Sequence, residues 1–152
     1  MTTLVTRPEP QASDWAQALS AQGVAAQALP LIAIDGPTQT AEVARLWHEL
    51  SAHRLLMFVS PAAAEWFFRL RPQASDPAAS APAWPARTLA AAPGPGTARA
   101  LQALGAPAGL LPDQLISPDA EGTQFDSEAL WPHLSALNWH GQRVAIVSGG
   151  DA

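Results

Sequence analysis

A chain of 152 residues with 48% hydrophobic and only 14% charged residues has room for a sizeable core and is not a disordered polymer. Its net charge of −5 argues against broad nucleic-acid binding, which needs a basic face, and its lack of cysteine excludes disulfides, thiolate zinc sites and cysteine nucleophiles. No run approaches the ~18 apolar residues of a membrane span, and Met1 to Pro8 lacks a basic segment followed by a long apolar one, so the chain reads as cytoplasmic and without a signal peptide.

Leu4-Val5-Thr6 is a β-prone run stopped by Pro8, a first strand. Gln11 to Ser20 follows as a helix, with Ala12, Trp15, Ala16 and Leu19 at inward spacing and Gly23 as its stop. Val24 to Leu29 reads as a second strand. Asp35-Gly36-Pro37 is a turn, and Thr40 caps a helix carrying Val43, Leu46, Trp47 and Leu50 on one face. Leu55 to Val59 is a short continuous apolar run, which suits a central strand covered on both faces. Ser60-Pro61 starts the next helix, with Ser60 as N-cap and Ala64, Phe67 and Phe68 inward. Residues 71–86 form a Pro/Ala/Ser-rich mobile loop. Thr88 to Ala92 is a weak strand, and Pro93 to Thr97 turns into a helix that Gly105 ends. Ala108 to Leu111 is a short strand, Asp126 or Ser127 caps a further helix, and Arg143 to Val147 is a last strand before Ser148-Gly149-Gly150. Strands alternate with helices throughout, so the fold class is α/β, with parallel sheets flanked by helices.

The Gly94 to Arg99 segment is not a dinucleotide fingerprint, because Arg99 fills a position that needs a small residue; nor is there a Gly-Lys-Ser/Thr phosphate loop. Either it is only a redirecting turn, or its backbone N–H groups and Thr97 face an anion at a helix N-terminus. Ser60 has the same two readings, cap or anion donor. Thr6, Ser60, Thr97 and Ser148 all follow strands, so the fold collects hydroxyls at one sheet edge, where open parallel sheets bind ligands. An exposed helix-end anion contact contributes only ~0.3–1 kcal/mol, so a ligand held this way needs several anionic groups. His48, His53, His133 and His140 show no metal-ligand spacing and read as surface residues, and no hydrolase elbow exists. The six tryptophans read mostly as packing residues.

Leu4-Val5-Thr6-Arg7-Pro8, Leu29-Pro30-Leu31-Ile32, Phe58-Val59-Ser60-Pro61-Ala62-Ala63, Gly94-Pro-Gly-Thr97-Ala98-Arg-Ala-Leu101 with Gly105, and Gly141-Gln-Arg-Val-Ala-Ile-Val147 together resemble the uroporphyrinogen-III synthase family. The match runs in order over nearly the whole chain. Pro93, Ser148 and Ala63 depart from the family pattern, and the chain has no tyrosine, although a tyrosine matters for activity in that family. Family members are longer, so the resemblance implies a truncated copy that is a poor catalyst alone.

That resemblance implies a two-domain HemD-like (flavodoxin-like) architecture, incomplete here. Residues 1–34 would open the first α/β domain and 35–152 would make most of the second. It implies cyclisation of hydroxymethylbilane to uroporphyrinogen III, with inversion of the last ring and loss of water, in tetrapyrrole (heme) biosynthesis. No metal or cofactor is implied, no nucleic-acid or membrane partner, and a monomer when the chain is complete. Ser60 and Thr97 match positions lining the family's cleft, and Arg7 follows the opening motif; no single catalytic acid or base is implied. The substrate's many carboxylates suit helix N-termini and hydroxyls, although the net negative charge opposes long-range steering. Two alternatives stand beside this enzyme: a non-catalytic binding module of the same fold, and a flavodoxin-like domain binding a nucleotide phosphate at Gly94–Thr97.

Overall fold

Parallel strands need long crossovers, and this sequence supplies a helix for each one. The computed structural model describes residues 1–38, 40–74, 80–118 and 127–149. The chain divides into two compact units, Met1–Gly36 and Pro37–Ala152.

In the first unit β1 (Thr3–Val5) pairs in parallel with β2 (Ala26–Ala28), and α1 (Gln11–Ala21) is the crossover. The predicted strand over 24–29 is thus shorter than the sequence suggests. Val5, Ala12 and Ala16 form a small core. Small residues at 12 and 16 let the helix lie close to the strands, so there is no room for Trp15 beneath it. Trp15, expected on the inward face, is 53% exposed, and its ring carries the Arg7 guanidinium 4.9 Å from the centroid. Gly23, at φ 82°, ends α1 as predicted, in a conformation a side chain would strain.

The second unit is a four-stranded, all-parallel sheet in the order β5-β4-β3-β6. Its strands are β3 (Leu55–Phe58), β4 (Leu89–Ala91), β5 (Leu115–Ile116) and β6 (Val144–Val147). The helices are α2 (Thr40–His48), α3 (Pro61–Arg69), α4 (Pro95–Gly105) and α5 (Ser127–Ser135). Thr40 is the first helical residue of α2 rather than its cap, and Asp126 lies outside the described residues.

Alternation sends Leu56, Phe58, Ala90 and Ala92 to one face of the sheet, where they meet Trp47, Phe67 and Leu101 from α2, α3 and α4. Trp47 stacks on Phe67 with centroids 4.6 Å apart, and Phe58 meets Phe67 edge-on at 5.3 Å. Leu55 and Ala91 point to the other face, under Leu130 of α5. β3 is therefore central and nearly inaccessible, as the apolar run predicted. The exception is Val59, 41% exposed, which lies past the strand at the carboxyl edge.

Three further expectations change. Residues 108–111 are not a strand. The chain leaves α4 through a 3-10 turn (Ala106–Ala108) and reverses at Gly109, φ 92°; Leu110 N–H donates to the Gly105 carbonyl at 3.0 Å, and the strand forms later, at β5. Gly105 has an ordinary helical φ of −81°; its need is space, since a Cβ there would sit 2.6 Å from Leu110 Cδ2.

The loop before β4 is tied down where it is described. Trp84 is 4% exposed and packs in the main core, and Arg71 Nε donates to the Pro82 carbonyl at 2.7 Å. His53, read as a surface residue, is 8% exposed with Nδ1 3.0 Å from the Glu49 carbonyl. A buried ring finds its partner in the backbone just before it, which spacing alone does not reveal. Thr88 is fully buried and its hydroxyl donates to the carbonyls of Leu50 and His53, at 3.0 and 2.9 Å.

Candidate functional site

Each of β3, β4 and β6 ends at the same, carboxyl edge, because the ladder is parallel and in register (Leu55 opposite both Leu89 and Val144). Helices α3 and α4 step from β3 to β4 to β5 on one face. The crossover through α5 then returns on the other face and delivers β6 to the opposite flank of β3. The strand order therefore reverses between β3 and β6. In open parallel sheets that reversal opens a crevice at the carboxyl ends, since neighbouring connections leave in opposite directions. Its floor here is the Val59 N–H donating to the Val147 carbonyl at 3.2 Å, and the residues that follow are Ser60 and Ser148.

Ser60 caps α3: its Oγ accepts the Ala63 N–H at 3.1 Å, with Pro61 fixing the first helical residue. The hydroxyl proton remains available, because this bond uses only a lone pair. The start of α4 differs. Its cap is Gly94, which has no side chain to offer, and the first helical bond runs from Ala98 N–H to the Gly94 carbonyl at 3.0 Å. The N–H groups of Gly96 and Thr97 are thus left without a protein partner among the described residues. Thr97 is 5% exposed, and nothing among the described residues hydrogen-bonds its hydroxyl. No buried side-chain oxygen lacks a partner there, so the small exposed part of Thr97 includes that hydroxyl.

These two helix starts adjoin: a Cβ built on Gly96 would lie 3.7 Å from Pro61 Cγ. The second unit thereby places Ser60 and Thr97 together on one edge, with Ser148 across the strand reversal. Helix dipoles, and N–H groups without a partner among the described residues, favour an anion at this edge.

Arg7 belongs to the first unit. It follows β1, at the carboxyl edge of the two-stranded sheet, and is exposed; its Nη1 donates to Gln11 Oε1 at 3.3 Å. The start of α1 there is not open. Glu9 accepts the Ser13 N–H at 3.3 Å and the Ser13 hydroxyl at 2.9 Å, so a carboxylate of the chain itself occupies that N-terminus.

Among the described residues no group of three or more His, Asp or Glu could hold a metal, and no helix is long and apolar enough to cross a membrane. Sequence reasoning missed the strand reversal beside Ser60, since strand order is not written in local patterns.

A model of the family described as uroporphyrinogen-III synthase HemD matches residues 13–152. The chain belongs to the uroporphyrinogen-III synthase family. No curated protein matches it. Membership assigns the chain a uroporphyrinogen-III synthase-like role in tetrapyrrole biosynthesis, among lyases. The α/β architecture with parallel sheets between helices agrees with the fold of that family.

Proposed function

We propose that this protein cyclises hydroxymethylbilane to uroporphyrinogen III, inverting the last ring and releasing water. The observation that carries the reading is the pair of adjoining helix starts at the carboxyl edge: α3 with the spare Ser60 proton, and α4 with N–H groups and a Thr97 hydroxyl that have no partner among the described residues. Linear tetrapyrroles carry carboxylates around their periphery. Each carboxylate that takes the place of water at such a donor contributes modestly, and several together fix the fold of a flexible chain. In this reading residues 1–34 belong to one domain and 35–152 to a second, and Arg7 supplies a guanidinium for another carboxylate.

The mechanism follows from positioning. Hydroxymethylbilane closes spontaneously to the type I isomer, so an enzyme is needed to direct the bond to the other carbon of the terminal ring. Ser60, Thr97 and the free N–H groups would hold peripheral carboxylates and leave the ring to be inverted free to turn. Orientation of this kind is worth orders of magnitude in rate without a dedicated acid or base. The test is chromatographic: hydroxymethylbilane is supplied, and the ratio of type III to type I product is read for the wild-type chain, Thr97→Val and Ser60→Ala. Type III product that falls in both variants supports the proposal. Type I product alone from the wild-type chain, at the rate of buffer, overturns it.

A further inference from the structure

The opposite edge of the second unit's sheet holds an open cavity of about 430 Å³, lined by Ser51, His53, Arg54, Arg87, Asn138 and Gln142 with Ala52. Arg54 directly precedes β3, while Arg87 and Gln142 lie just ahead of β4 and β6, so the amino ends of three adjacent strands contribute. We propose that this cavity is a binding site for a small, multiply charged oxyanion, separate from the carboxyl-edge site.

The lining is one-sided in charge. Two arginines, a histidine and two amide residues line the cavity, and among the described residues no Asp or Glu does, in a chain with 13 acidic and 8 basic residues. Glu49 is occupied elsewhere, 3.3 Å from Arg143. Arg54 Nη1 donates to the Arg87 carbonyl at 2.9 Å, which holds one cation against the segment that carries the other. Like charges so placed repel, and a bound anion relieves the repulsion while its oxygens meet the guanidinium forks.

The walls are also hydrogen-bonded to one another. Arg54 N–H donates to the Arg143 carbonyl at 2.8 Å, and the Arg54 carbonyl accepts from Leu89 N–H at 2.9 Å. His53 is held through Nδ1 against the Glu49 carbonyl. Among the described residues nothing engages the side chains of Arg87 or Gln142. The four-residue strand β3 separates this cavity from the Ser60 edge, so one carboxylate cannot serve both.

The ligand chemistry is an array of anionic oxygens, found on phosphates and on polycarboxylates alike. Binding of pyrophosphate and of citrate to the full chain, at constant ionic strength set with sodium chloride, is measured by isothermal titration calorimetry and by amide chemical shifts. Saturable binding of at least one probe is expected, with shifts at His53, Arg54, Arg87 and Gln142. The better probe tells phosphate from carboxylate recognition. Arg87→Gln, at an exposed side chain without a partner among the described residues, should weaken binding about tenfold or more, and Arg99→Gln on the exposed side of α4 should leave it unchanged. Absence of saturation with both probes, an equal effect of Arg99→Gln, or binding that Thr97→Val removes and Arg87→Gln does not, would each overturn the site.

Discussion

Pro61 and Gly96 stand against each other across the first turns of α3 and α4, with space for one methyl group between them: a Cβ on Gly96 would rest 3.7 Å from Pro61 Cγ. Gly96 has no steric reason to be glycine for folding. Gly96→Ala should therefore keep stability or raise it by about 0.5 kcal/mol, through helix propensity. The same methyl group would stand where a carboxylate approaches the N–H groups of α4. Type III product formation should fall while the melting temperature holds. Unchanged product formation would remove ligand approach from this turn.

Thr97 and Ser60 separate binding from capping. The Thr97 hydroxyl has no hydrogen-bond partner among the described residues, so Thr97→Val keeps the shape and should shift stability by under about 0.5 kcal/mol. Type III formation, as kcat/KM, should drop about tenfold if the hydroxyl holds a carboxylate. Ser60→Ala also loses the Ala63 cap, so it should cost about 1 kcal/mol in denaturant unfolding as well as activity. Loss of stability in both variants with unchanged turnover would make them structural residues.

Thr88 is a fully buried polar residue that anchors the backbone ahead of β3. Thr88→Val preserves volume but leaves the Leu50 and His53 carbonyls without the hydroxyl they share, at 3.0 and 2.9 Å. The expected cost is about 1–3 kcal/mol in chemical denaturation. Anion binding at the amino edge should weaken too, since His53 and Arg54 lose an anchor.

Gly105→Ala should destabilise by about 1–3 kcal/mol, because the new Cβ would meet Leu110 Cδ2 at 2.6 Å and its Cβ at 2.9 Å. Leu110→Ala in the same chain should recover part of the loss, giving a coupling energy in a double-mutant cycle. Simple additivity would show that α4 moves instead.

What the sequence disclosed was the part governed by local rules. The run Leu55 to Val59 marked the central strand, Ser60-Pro61 the start of α3, and Gly23 the end of α1, because each depends on neighbours along the chain. Tertiary relations were hidden. Leu110 looks like a strand residue, yet it is a plug against Gly105. His53 looks like any surface histidine until the 3-10 turn Leu50–Ala52 folds it inward. Trp84 lies in a segment whose composition promises no packing, and its Nε1 donates to the Thr88 carbonyl at 2.8 Å. Of the candidate edge, the residues Ser60 and Thr97 were readable; their adjacency, and the reversal beside Ser148, depend on strand order.

The pairing of β3 with β6 joins segments from opposite ends of the second unit. During synthesis on a ribosome, β3, β4 and β5 emerge with the helices between them, well before β6 does. Until then one flank of the most apolar strand has no neighbour, and Phe58 ends beside an unfilled place. The nascent sheet thus waits with an open side through the making of α5, and a holding chaperone has its clearest target there. The crevice beside Ser60 therefore forms only once β6 has been made, after β3, β4 and β5.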